Sequence, residues 1–62
     1  MRFSISFDDG FALFRVEQVP TSLHDALAAL SVSWDRGDHA TVYVVPNTFY
    51  EAAYQLCLRM MP

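Results

Sequence analysis

The amino-acid sequence predicts a two-layer α+β domain, with an antiparallel sheet of three to four strands and two helices on one face. Three observations carry this expectation. The chain opens on strict two-residue alternation, an apolar stripe at helical spacing lies near its middle, and a strand–turn–helix succession fills its last third. The preferred order is ββαββα, with ββαβα as the alternative.

From Arg2 to Phe7, Phe3, Ile5 and Phe7 share one side while Arg2, Ser4 and Ser6 share the other, the pattern of a half-buried strand. Asp8-Asp9-Gly10 marks a turn, and Phe11 to Val19 resumes as a second strand. Register selects the turn. A three-residue loop pairs Phe7 with Phe11 and turns Arg15 and Glu17 onto the core face. A two-residue Asp9-Gly10 turn pairs Phe7 with Ala12, Ile5 with Phe14 and Phe3 with Val16, so every inward position is apolar. It also sets Arg2 opposite Glu17 on the outer face, a favourable cross-strand pair. The two-residue turn is therefore expected, with Phe11 and Leu13 partly exposed outside.

Pro20 ends the strand. Ser22 is the expected N-cap of a first helix, with Asp25 completing an acidic variant of the capping box. Leu23, Ala26, Leu27 and Leu30 form one narrow core-facing stripe, leaving His24, Asp25 and Ala28 toward water. Ser31 to Trp34 reads as a short strand before an Asp35-Arg36-Gly37 turn. This follows from a match of Ile5–Gly10 with Val32–Gly37, about 27 residues apart, which suggests two ββα units within one domain spanning 1–62 (about 2–30 and 31–61).

Thr41 to Val45 is the second unit's core strand, and Pro46-Asn47 its turn. Thr48-Phe49-Tyr50-Glu51 has the form of a capping box at the start of the last helix. At 100° per residue, Phe49, Ala53, Leu56, Cys57 and Met60 form the stripe that covers the sheet. Tyr50, Tyr54, Leu58 and Met61 form a second stripe beside it, leaving Glu51, Gln55 and Arg59 as the polar face.

Composition bounds the function. With 62 residues the chain is near the lower limit for independent folding, and a core of that size rarely supplies more than about 3–5 kcal/mol of net stability. Yet 53% of its residues are apolar and 15% aromatic, generous for so small a body, which implies either an unusually well-filled core or, the preferred expectation, apolar surface buried against another chain. One cysteine excludes an intrachain disulfide, and with two histidines it makes a thin metal set. A net charge of −3 with no lysine argues against phosphate-backbone binding. No stretch approaches the roughly 20 apolar residues of a membrane span, and Met1-Arg2 does not open a secretory signal. The lone thiol suggests a reducing cytoplasm.

No cofactor, metal or catalytic residue is expected. Cys57 sits mid-helix on the core side, where cysteine behaves as a small hydrophobe, and the chain has neither a glycine-rich phosphate loop nor a nucleophile elbow. The expected function is non-enzymatic protein binding through Tyr50, Tyr54, Leu58, Arg59 and Met61, residue types enriched in interface cores. The acidic turns, Asp8, Asp9, Asp35 and Asp38, would rim that surface if both hairpin tips emerge at one sheet edge. Leu13, Tyr43 and Val45 on the outer sheet face are a weaker second surface. In size and composition, though in no motif, the chain is built like the accessory inhibitors of bacteriophages, anti-CRISPR proteins among them, which occlude a larger protein inside a bacterial host. The alternative is a homodimeric module whose C-terminal helix forms the subunit interface.

Overall fold

Four strands and two helices follow one another in the order ββαββα in the computed structural model, which describes residues 1–61. β1 (Arg2–Asp8) and β2 (Phe11–Glu17) form a first hairpin, followed by α1 (Thr21–Leu30). β3 (Ser33–Arg36) and β4 (Ala40–Pro46) form a second, and a 3-10 turn (Asn47–Phe49) leads into α2 (Tyr50–Met60). All pairings are antiparallel and the sheet order is β1-β2-β4-β3, so β2 and β4 are central and β1 and β3 are edges.

The first hairpin has the expected register: Phe7 pairs with Ala12, Ile5 with Phe14, Phe3 with Val16 and Arg2 with Glu17. Its turn residues have φ of +47° at Asp9 and +88° at Gly10. This left-handed pair matches the twist of the strands it joins, and glycine adopts it without steric cost. On the outer face, Glu17 Oε2 lies 3.2 Å from Arg15 Nη1 and 3.9 Å from Arg2 Nε.

Ala12, Phe14, Val16, Tyr43 and Val45 are fully buried on the inner face, where Leu23 and Leu27 of α1 and Ala53 and Cys57 of α2 close over them. This corrects the expectation that Tyr43 and Val45 face outward. Phe14 pairs with Tyr43 and Ala12 with Val45, so whatever faces the core on β2 takes its β4 neighbour with it. Val42 and Val44, opposite Arg15 and Leu13, are the outward pair.

Neither expected capping box forms. α1 begins at Thr21 behind Pro20, whose carbonyl accepts from the His24 N–H at 2.9 Å, and no side chain caps it. The 3-10 turn takes up the Thr48 region, so α2 starts at Tyr50 and Glu51 accepts instead from Gln55 Nε2 at 3.3 Å. At the other end of α1, Ser31 Oγ donates to the Leu27 carbonyl.

The expected short strand is present but shifted. β3 covers Ser33–Arg36, so Asp35 and Arg36 lie in the strand and the turn follows them. The two hairpins share one register when offset by 29 positions, for Ile5 pairs with Phe14 and Trp34 with Tyr43. Asp38-His39 therefore occupies the place of Asp9-Gly10, and the match of Val32–Gly37 with Ile5–Gly10 is out of step by two. Buried Leu23 and Leu27 correspond to buried Ala53 and Cys57 at an offset of 30, so the second unit gains one residue between its hairpin and its helix. Each helix crosses to the other hairpin: α1 reaches Trp34 and Tyr43 through His24, while α2 reaches Phe3, Phe7 and Phe14 through its tyrosines. The two ββα segments thereby share a single core.

Candidate functional site

The surplus apolar surface of α2 divides three ways. Ala53 and Cys57 point straight onto the sheet and are fully buried. Leu56 turns toward α1, and the shallow groove between the helices, about 570 Å³, is lined by Ala26, Leu30, Ala52, Leu56 and Arg59. The third part begins with Tyr50 and Tyr54 on the opposite flank, above β1; Leu58 follows one turn after Tyr54, and Met61 lies past the end of α2 in extended backbone.

On that flank the two tyrosines stack, with ring centres 5.8 Å apart and planes 13° from parallel. Tyr50 also packs on Phe7 at 5.3 Å and Phe14 at 6.0 Å, and Tyr54 meets Phe3 edge-on at 6.3 Å. These are favourable aromatic geometries. Tyr50 and Tyr54 are thus half-buried supports of the sheet edge, not a bare surface, and they face β1 instead of α1. Beyond them, Leu58 and Met61 retain 41% and 42% of their exposure, and Phe7 retains 62%. Of the residues expected to act together, Tyr50, Tyr54 and Leu58 share one flank of α2, Met61 lies past the helix end, and Arg59 stands across the helix in the inter-helix groove.

The acidic turns do not converge. Because β2 and β4 run antiparallel, with Phe11 opposite Pro46 and Glu17 opposite Ala40, the two hairpin tips leave opposite ends of the sheet. Asp8 and Asp9 stand roughly 20 Å along the strands from the Asp35–Asp38 end. Four carboxylates so divided cannot rim one surface. Among the described residues, no group of three or more His, Cys, Asp or Glu side chains is placed to hold a metal ion.

Two groups were not legible from sequence. His24, expected in water, is half-buried: its ring meets Trp34 edge-on at 4.5 Å, and its Nδ1 is hydrogen-bonded to the Tyr43 hydroxyl at 2.8 Å, the imidazole tautomer setting which atom donates. Burial raises the Tyr43 pKa above its ordinary value, so the phenol stays protonated. The second is a cleft of about 300 Å³ between Gln18–Thr21 and the Arg36–Thr41 hairpin tip. Its wall includes Gln18, a non-glycine residue at φ +54° where β2 breaks away toward α1.

Cys57 is the one nucleophilic thiol of the chain. It is fully buried, and burial pushes its pKa up to about 11, so it persists as a neutral thiol. Among the described residues, no helix is long and apolar enough to cross a membrane. No family model matches this chain, and neither does any curated protein or solved structure.

Proposed function

We propose that this chain is a non-enzymatic protein-binding module, an inhibitor or regulator that occludes or remodels a larger protein through the C-terminal end of α2. The observation that carries this reading is the exposure of Leu58 and Met61 at the end of a helix whose tyrosines are already committed to the sheet. Large apolar side chains grouped at one rigid element are the usual mark of a docking surface. Tyr54 precedes Leu58 by one turn on the same flank, while Arg59 faces the groove between the helices. The partner would be met by shape and apolar contact, without transfer of any group. The lone buried thiol suits a reducing cytoplasm.

The test is a capture experiment with the native chain and Leu58→Asp, immobilised side by side against lysate of the native host. A protein retained by the native chain and lost with Leu58→Asp, while both chains unfold at the same temperature, supports the reading. Identical capture by the two chains would overturn it.

A further inference from the structure

The open edge of the sheet is self-complementary, and we propose that β1 pairs with β1 of a second copy of this chain, antiparallel and centred on Ile5, to give a two-fold symmetric dimer with one continuous eight-stranded sheet. Asp8 and Phe11 flank a two-residue turn and are therefore a hydrogen-bonded pair. Hydrogen-bonded and open pairs alternate along an antiparallel ladder. Ser6, Ser4 and Arg2 thus turn their peptide groups toward β2, while Phe3, Ile5 and Phe7 turn theirs outward, where the monomer has no strand to meet them. The same alternation carries across the sheet, for the Gly37 N–H donates to the Ala40 carbonyl and the Val32 N–H to the Val44 carbonyl on the far side.

Long, flat edge strands are templates for another chain, and proteins usually blunt them by shortening, by bulges, by proline or by lysine. β1 spans seven residues, pairs without a bulge, and contains neither proline nor lysine. β3, the opposite edge, has four residues.

The sequence of β1 names the occupant. Arg2-Phe3-Ser4-Ile5-Ser6-Phe7-Asp8 reads the same in both directions from Ile5, except that its ends carry opposite charges. Laid antiparallel on a copy of itself about Ile5, it puts Phe3 opposite Phe7 of the second copy, Ser4 opposite Ser6, and Ile5 opposite Ile5. Arg2 then faces Asp8 of the second copy, and the two-fold makes that ion pair twice. The outward peptide groups of Phe3, Ile5 and Phe7 meet their counterparts in the same arrangement. Sliding by two residues sets Arg2 opposite Ser6 and leaves both ion pairs unmade, so charge selects the register. The two-fold is perpendicular to the sheet and keeps all four helices on one face. It covers Phe7 and brings the Tyr50–Tyr54 stack of each copy toward that of the other, while Leu58 and Met61 remain at the outer ends. A second copy thus leaves the end of α2 available, and the two surfaces are tested separately.

Sedimentation equilibrium of the full chain, from low micromolar to about 100 μM, decides the matter. The native chain should reach twice 7.1 kDa. Arg2→Asp and Asp8→Arg, each alone, replace both ion pairs by like charges and should raise the dimer dissociation constant about tenfold or more. Asp8→Arg is the cleaner of the two, since Arg2 also lies near Glu17 within its own chain. Circular dichroism melts establish that each variant is folded. Mixed in equal amounts, the two variants restore both attractions, and the mixture should recover the dimer that neither forms alone. A folded native chain that stays monomeric at 100 μM would overturn the proposal. So would a dimer indifferent to both charge reversals, or a mixture no more associated than its parts.

Discussion

The two hairpins share a register yet end the sheet in different ways. β1 is long and open, and its Phe3 and Phe7 meet the stacked Tyr54 and Tyr50 of α2. β3 is short, and above it lies His24 of α1, edge-on to Trp34 and bonded to Tyr43. One side is built of aromatic surface without a specific polar bond; the other is pinned by a buried hydroxyl that needs its partner. Identical pairing geometry therefore does not make equivalent edges. Strand length and the helix that crosses overhead are what set the two edges apart.

That contrast can be broken at its centre. Phe14 and Tyr43 face each other across β2 and β4, where both halves meet, and both are fully buried. Phe14→Ala should cost about 3–5 kcal/mol, comparable with the whole net stability of a domain this small. Urea titration should find the variant unfolded or nearly so, and a midpoint close to that of the native chain would show that the halves do not share one core. His24→Ala acts on the pinned side alone. It removes the imidazole partner of the Tyr43 hydroxyl, which keeps Thr41 beside it, and should cost about 1 kcal/mol, with the Trp34 fluorescence spectrum shifting as its neighbour is lost. An unchanged melting temperature would mean that the hydrogen bond contributes nothing to the second edge.

The smallest effect separates the halves by pH. Cys57 is on the buried side of α2, with its pKa raised from 9.0 to about 11, and Tyr43 lies under α1, with its pKa raised from 10.0. Each holds its proton more tightly when folded, so the unfolded chain loses it first as pH rises, and stability falls with rising pH. The melting temperature should begin to decline near pH 9. In Cys57→Ala that decline should begin only above pH 10, where Tyr43 takes over; an identical onset in both chains would refute the assignment.

Much of this fold is legible in the sequence. Alternation in Arg2–Phe7, with the demand that inward positions be apolar, was enough to select the Asp9-Gly10 turn and the full register of the first hairpin. Buried Leu23, Leu27, Ala53 and Cys57 follow from helical spacing, whereas Phe49 and Met60 of the same expected stripe are exposed, Phe49 because it lies in the 3-10 turn before the helix. The candidate site was half legible: the second stripe of α2 is present, but its tyrosines are spent on Phe3, Phe7 and Phe14, and Arg59 stands on the other side. The capping boxes misled because a 3-10 turn before α2 and Pro20 before α1 occupy the places where caps would sit.

The sequence by itself favoured the observed order of elements, and it determined the first turn and the inward face of each strand whose two sides differ in polarity. Those choices rest on local sterics and on contrast between neighbouring residues, which a linear pattern contains. It did not determine the inward face of β4, because Thr41, Tyr43 and Val45 compete there with Val42 and Val44, apolar on both sides. Nor did it show that His24 meets Tyr43, or that the acidic turns lie at opposite ends of the sheet. Only the tertiary structure decided these, since each depends on which strand lies beside which and in which direction. That choice is made by long-range burial against β2 and the two crossing helices, and it leaves no periodic trace in the chain.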